Sequence, residues 1–447
     1  LKKELEEILI LIKEKKFTEV REKIINFNPV HIAELIEKLE ISDTILVFRM
    51  LPKDLAVDVF NYISNESQIN IISSITSKEL QYILDELFFD DRIDLLEEMP
   101  AKVVKEILKY SNIEERKLIN EFLNYPEYSA GSLMTIEYVD LKKNMTVNEA
   151  IEHIKITGVN KETIYTCYVI DEKRKLQGTI SLRNLILSDY NLKVGEIMRK
   201  DVVYVNTHQD QEEVANVFKK YDLIALPVVD MEDRLTGIIT IDDIVDVMEQ
   251  ETTEDFQKMA AMSPSEEEYL DTGVWKLAKN RLLWLTILMI SATFTGNIIK
   301  RFEDVLQSVV LLTAFIPMLM DTGGNAGSQS ATLVIRSIAL GEIQGKDALK
   351  VIWKELRVSL IVGSVLSLLN FIRICYIEKV SFYISLTVSI TLFFTVILAK
   401  VVGAILPMLA KKFKLDPAIM ASPLITTIVD ATSLIVYFTV AKFLLGI

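Results

Sequence analysis

An apolar run with one carboxylate in its middle constrains this chain more than any other feature. Residues 417–445, PAIMASPLITTIVDATSLIVYFTVAKFLL, exceed the roughly 20 mostly apolar residues that a helix needs to cross a bilayer. Asp430 is the only acid after Asp416, and the one base in the run is Lys442. A carboxylate at bilayer depth costs about 3 kcal/mol on insertion scales, so it has to face a bundle interior or a water-filled path. Its neighbours are small and hydroxylated: Ser422, Thr426, Thr427, Ala431, Thr432 and Ser433. Helical spacing puts Thr426, Thr427 and Asp430 on one face, as a polar lining requires. Pro423 inside the run is expected to free a backbone carbonyl beside that lining. Two readings follow: an aspartate paired within a helix bundle, or a cation site on a permeation path.

Five apolar segments divide the C-terminal part, near 281–299, 305–340, 355–376, 380–409 and 417–445. The links richest in Lys and Arg (276–281, 336–357 and 400–414) alternate with sparser ones at 300–304 and 373–379. The excess of positive charge on cytoplasmic loops then puts the N-terminal domains in the cytoplasm and, after five crossings, the C-terminus outside. The second segment is interrupted by Pro317 and by the polar, glycine-rich stretch from Asp321 to Ser330. Irregular backbone at membrane depth is tolerated only where it is buried or lines an aqueous cavity. Small residues also serve as helix-packing glue, but the Asp, Asn, Ser and Gln side chains favour a pore lining.

The formal net charge of −14 is unevenly spread. Residues 201–270 carry 18 acids and 4 bases, whereas 271–447 carry 10 acids and 17 bases. Such an acidic segment repels nucleic acid and attracts cations. Within 242–255, DDIVDVMEQETTED, seven carboxylates occur without a base. Asp242, Asp246 and Glu249 share a helical face, where like charges oppose the helix. The segment is either a solvated acidic helix or one bridged to its neighbours by hard divalent cations, which take oxygen ligands. Cys167 and Cys375 lie in separate regions and suggest neither a disulfide framework nor a thiolate metal site. The charged start, LKKELEEILI, lacks a signal-peptide core. His31, His153 and His208 are scattered, no nucleophile–base arrangement is visible, and an enzyme is not expected.

Two internal repeats organise the soluble part. Residues 1–127 read as short amphipathic helices in which Leu35–Tyr62 overlays Ile83–Tyr110, with Leu51-Pro52 matching Met99-Pro100 and Asp43 matching Asp91. Helix pairs that cannot bury their faces alone stack into a small superhelix. From 128 to 246, strand-like runs such as 163–170 and 223–229 alternate with helical ones. GTISLRNLI (178–186) there matches GIITIDDIV (237–245). This resembles a tandem pair of CBS domains, at 128–190 and 191–246, which implies a cleft for adenine nucleotides such as ATP. Arg183 and Asn184 are its candidate contacts. The motif's terminal acid holds the ribose in nucleotide-binding examples, and the first copy has Asn184 in that place.

PMLMDTGGNAGSQSATLVIRSIALGEI (317–343), together with DPAIMASPLITTIVDATSLIVYF (416–438), resembles the MgtE family of bacterial magnesium channels. The resemblance extends over the whole chain. It implies a multidomain protein: an all-α superhelical N domain (1–127), the α/β CBS pair, an acidic connecting or plug helix (247–275) and an α-helical transmembrane bundle of five helices per subunit (276–447). It also implies a homodimer in the bacterial inner (plasma) membrane, with a pore formed by the second and fifth helices of both subunits. By the same resemblance Asp430 is the pore aspartate and Asn325 the pore-lining asparagine; Mg²⁺ keeps several waters, and threonines such as Thr426 suit contact with them. Ser422 stands where some relatives have asparagine. The family's regulatory Mg²⁺ ligands fall on Asp210, Glu212, Asp222, Asp243, Asp246, Glu251, Glu254 and Asp255, with Asp90 or Asp91 as the N-domain partner. The implied activity is Mg²⁺ import down the membrane potential, closed by cytosolic Mg²⁺. The rival readings are transport of Co²⁺, Mn²⁺ or Ni²⁺, which an oxygen-only site disfavours, and a CBS-bearing membrane sensor that conducts nothing.

Overall fold

A computed structural model describes residues 2–99, 103, 104, 108, 113–265, 269, 270, 272–420 and 422–446. The chain divides into two compact units, Leu1–Val247 and Met248–Ile447.

The first unit opens with short helices. Each buries one apolar stripe, as Ile32, Leu35 and Ile36 do in Pro29–Ile36 and Val57, Val59 and Phe60 in Lys53–Asn61. Their starts are written in the sequence. Asn28 accepts from the Val30 N–H with Pro29 in the first turn, and Thr76 and Glu79 form a capping box. The repeat breaks where proline dictates. Leu51, before Pro52, turns extended and ends helix Ile41–Met50, and Pro52 leads into Lys53–Asn61. In the second copy Phe89–Glu98 matches Ile41–Met50, and Met99 is extended in the same way. Pro100 and most of the remaining match to Tyr110 lie outside the described residues.

Two three-stranded sheets follow, β1 (Tyr138–Lys142), β2 (Thr163–Ile170) and β3 (Leu176–Ser181), then β4 (Val205–Asn206), β5 (Ala225–Val229) and β6 (Leu235–Thr240). In each, the first strand runs parallel and the third antiparallel to the middle one. β5 is a continuous apolar run buried along its whole length, and β2, rich in β-branched and aromatic residues, is buried along its second half. Bridges from Thr135 to Ile238 and from Lys175 to Arg234 tie the two halves together. After β6 the helix Ile241–Met259, the connecting helix, carries the acidic run without a break. It is shorter than the 247–275 segment expected, because Ala260–Ser265 and Thr272–Gly273 are not helical.

The second unit is helical. Its long members are Val274–Arg301, Ile316–Ala339 (the glycine helix), Ala348–Ile372, Phe382–Lys412 and Ser422–Leu445 (the aspartate helix). Among the described residues four spans are long and apolar enough to cross a membrane: Val274–Arg301, Gly345–Ile377, Phe382–Lys412 and Pro417–Leu445. The glycine helix is too polar to count with them.

Two expectations need correction here. The stretch Asp321–Ser330 is not irregular: it lies inside one unbroken helix, with Pro317 in the first turn, where a missing N–H costs nothing. The break in the segment falls earlier, in a short helix, Glu303–Ser308, and a 3₁₀ turn, Val310–Phe315. Pro423 likewise sits in the first turn of its helix rather than inside it.

Candidate functional site

The glycines of the glycine helix let two other helices approach its backbone. A Cβ on Gly323 would lie 2.7 Å from Thr395 Cγ2, and one on Gly324 would lie 2.8 Å from Thr426 Cγ2. A Cβ on Gly403 would run into the backbone of Gly327. Small residues thus do the packing. Ser330, fully buried, donates to Glu355 Oε2 at 2.6 Å and fixes the rotation of the helix against Ala348–Ile372.

The opposite face of the glycine helix is polar. Asp321, Asn325 and Gln329 recur at every fourth position and are exposed in the single chain, and Asn325 Nδ2 donates to Asp321 Oδ2 at 3.3 Å. Asp430, half-buried on the aspartate helix, has Asp321 as its charged neighbour among the described residues. Thr426, one turn before Asp430, packs its methyl on Gly324. The hydroxyls of Thr426 and Thr427 donate to the Pro423 carbonyl at 2.9 and 3.0 Å. Their protons are thus spent within the helix, and their oxygen lone pairs are left for a further donor, such as an ion's water. Asp430, Thr426 and the polar stripe therefore come from two helices in contact. Asp321 was missed as a site residue because its spacing to Asn325 matters only if the glycine stretch is helical.

A second group of acids assembles in the first unit. Asp90 and Asp91, at the start of Phe89–Glu98, lie near Asp243 and Asp242 at the start of the connecting helix. Glu162, just before β2, joins them. Burial, with repulsion from Asp243, Asp91 and Glu162, pushes the Asp90 carboxyl well above its ordinary range. Burial and then Asp242 and Asp243 push Glu162 to about 7. Asp243 is pushed to about 6 by burial and by Asp242 and Asp91, although the Thr240 hydroxyl donates to it at 2.9 Å. Burial and Asp242 raise Asp91, whose Oδ2 accepts from Asn61 at 3.0 Å. Two buried oxygens, Asp90 Oδ1 and Glu162 Oε2, have no hydrogen-bond partner among the described residues. Sequence reasoning missed Glu162, since a lone acid before a strand carries no pattern.

The other anticipated ligands are dispersed. Asp210 caps helix Gln211–Tyr221 by accepting from the Glu212 N–H at 2.9 Å, and Asp222 ends the same helix with φ of 50°. They stand about 18 Å apart along the helix axis, at 1.5 Å of rise per residue. Asp246 is exposed, and Glu251, Glu254 and Asp255 are half-buried farther along the connecting helix. Arg183 and Asn184 are exposed at the start of helix Leu182–Leu187, where the Asn184 N–H donates to Ser181 Oγ. Among the described residues no three carboxylate, imidazole or thiol groups come close enough to hold an ion by themselves.

Comparison with known proteins agrees along the chain. A family described as divalent cation transporter, MgtE, matches residues 316–440. The MgtE intracellular N domain matches 27–128, and CBS domains match 130–189 and 194–250. The magnesium transporter MgtE of Thermus thermophilus is 38% identical over 432 residues, 95% of each chain. That of Bacillus subtilis is 34% identical over 97% of this chain and 96% of its own. The solved cytosolic domain of the Mg²⁺ channel MgtE in complex with ATP is 37% identical, with a TM-score of 0.52, over 55% of this chain and all of that one. A solved soluble part of a magnesium transporter is 31% identical, with a TM-score of 0.51, over 56% of this chain and 98% of its own. With its N domain, CBS pair and polar-faced helical part in the same order, the chain belongs to the MgtE family of transporters and is not an enzyme.

Proposed function

We propose that this protein is a Mg²⁺-selective channel that works as a homodimer in the bacterial plasma membrane, with its N-terminal domains in the cytoplasm and its C-terminus outside. The observation that carries the reading is the polar stripe Asp321–Asn325–Gln329 beside Asp430 and Thr426. Such a stripe is too costly to leave against lipid. Pairing it with its two-fold mate closes a water-filled path between the glycine and aspartate helices of both subunits, with the glycine helix as the fifth crossing.

Mg²⁺ dehydrates reluctantly and keeps several waters. Two symmetry-related Asp430 carboxylates supply long-range attraction, while Asn325 and Thr426 contact the ion's water shell. The driving force is the membrane potential, about 2.3 kcal/mol per charge per 100 mV, and twice that for a divalent ion. Cytosolic Mg²⁺ closes the channel by bridging acids that repel one another without it. Asp90, Asp91, Asp243 and Glu162 form one such group. Asp210, Glu212, Asp222, Asp246, Glu251, Glu254 and Asp255 complete others with the second subunit. The ion binds the closed packing better than the open one, as any ligand-driven shift requires. ATP occupies the CBS cleft at Arg183 and Asn184, as the ATP complex of the relative suggests.

Magnesium flux into proteoliposomes tests the reading. Asp430→Asn keeps the shape and removes the charge, so flux is expected to fall at least about tenfold, the equivalent of 1.4 kcal/mol. Unchanged flux in a well-folded Asp430→Asn protein would move the ion site elsewhere. Competition by Mn²⁺, Co²⁺ or Ni²⁺ at concentrations equal to Mg²⁺ would mark a broader divalent pathway, and absence of any ion flux in the parent would leave a membrane sensor.

A further inference from the structure

One base breaks the acidic character of the connecting helix. Lys258, in its last turn, places Nζ 2.5 Å from Glu254 Oε1 and 2.7 Å from Asp416 Oδ2. The lysine side chain is 20% exposed and the two acids 34% and 29%, so this is not a freely solvated surface pair. Next to Lys258, Met259 packs on the core of the second unit. Asp416 uses its other oxygen, Oδ1, to accept from the Ala418 N–H at 2.8 Å, which holds the turn Pro417–Met420. That turn leads into the aspartate helix. A third acid, Asp255, is pushed above its ordinary range by burial and then by Asp416, and is eased by Lys258 and by Arg336. Arg336 lies in the last turn of the glycine helix. The end of the connecting helix therefore meets charged groups at the near ends of both helices that carry the polar stripe and Asp430.

We propose that Lys258 is the coupling residue between the connecting helix and the pore, a latch whose ion pair with Asp416 favours the closed state. Pulling the connecting helix away breaks the pair with Asp416, while Glu254, on the same helix, travels with Lys258. It also frees the carboxylate that holds the turn before the aspartate helix. The lysine supplies a positive charge between Glu254 and Asp416. The inference rests on closure by cytosolic Mg²⁺ as proposed above, and names the element through which that closure reaches the pore.

The test uses the protein in proteoliposomes, with flux measured against internal Mg²⁺ from nominally zero to the concentration at which the parent is fully closed. Lys258→Met keeps length and apolar stem while removing the charge, and Asp416→Asn keeps the cap on Ala418. Each is expected to raise the Mg²⁺ concentration for half-closure by at least about fivefold, as a coupling at the low end of the usual range would. The double variant Lys258→Met with Asp416→Asn is expected to shift half-closure no further than either single variant, the mark of one shared interaction. Two unrelated folding defects would instead add, and additive shifts overturn the pair as the latch. No change in either single variant, or half-closure at lower Mg²⁺ than the parent, overturns the proposal; the second result would mean that Lys258 competes with the ion. If the parent stays open at every internal Mg²⁺, the feedback reading fails. The latch is then judged on the nominally Mg²⁺-free arm, where Lys258→Met must still conduct more than the parent and equal flux overturns it.

Discussion

Position 184 carries an amide where the second copy of the same CBS motif carries Asp243. An amide accepts through one neutral oxygen, whereas a carboxylate offers two oxygens and a charge, and hydrogen bonds to charged groups contribute about 1.5–3 kcal/mol against about 1 kcal/mol for neutral ones. Asn184→Asp is therefore expected to tighten ATP binding by about tenfold, as read by equilibrium dialysis on the intact protein. An unchanged affinity would place the nucleotide away from Arg183 and Asn184. Single residues were the most legible scale in the sequence. An acid in an apolar run is conspicuous whatever the fold, so Asp430 stood out at once. Glu162 and Asp321 did not, because each gains its meaning from neighbours that only the fold brings near: Asp242 and Asp243 for one, Asp430 for the other.

Among the elements, the helices and strands were legible from periodicity, proline and capping residues, and the glycine helix was not. In water, TGGNAGSQS reads as a break, since glycine pays more entropy than any other residue to become helical. Inside a bundle the balance reverses, because backbone hydrogen bonds must be made within the segment and a missing side chain admits a neighbouring backbone. Gly403 is where this matters most. Gly403→Ala would push a methyl into the backbone of Gly327, and overpacking of this kind costs about 1–3 kcal/mol. The thermal midpoint of the detergent-solubilised protein is expected to fall by several degrees. Gly296→Ala, where among the described residues nothing outside its own stretch of helix comes within 4 Å of the added carbon, is the matched control and should leave the midpoint unchanged or slightly raised.

For the molecule as a whole, the proposed closure by Mg²⁺ would link proton and metal equilibria at the acids around Asp90. The carboxyls of Asp243, at about 6, and Glu162, at about 7, are raised above their usual 3.8 and 4.5. Between those limits the packed form holds more protons than the separated one, so packing is most favourable below about pH 4 and weakens as pH rises towards 7. With a chelator present, protection of the N domain from protease is expected to fall between pH 5 and pH 8, and saturating Mg²⁺ should abolish that slope. Calorimetry in two buffers of different ionisation enthalpy should show protons released on Mg²⁺ binding at pH 6 and almost none at pH 8. Equal release at both would separate these carboxyls from the metal. The position of Asp243 has one more consequence. It is the counterpart of the residue that grips ribose in other CBS pairs, yet here it is engaged with Asp91 and the Thr240 hydroxyl. If ATP binds as proposed, the duplicated module divides its labour: the copy with Asn184 keeps a seat for a nucleotide, and the copy with Asp243 gives its seat to the acids of the N domain. A nucleotide at the second seat would then have to displace Asp91 from the surroundings of Asp243.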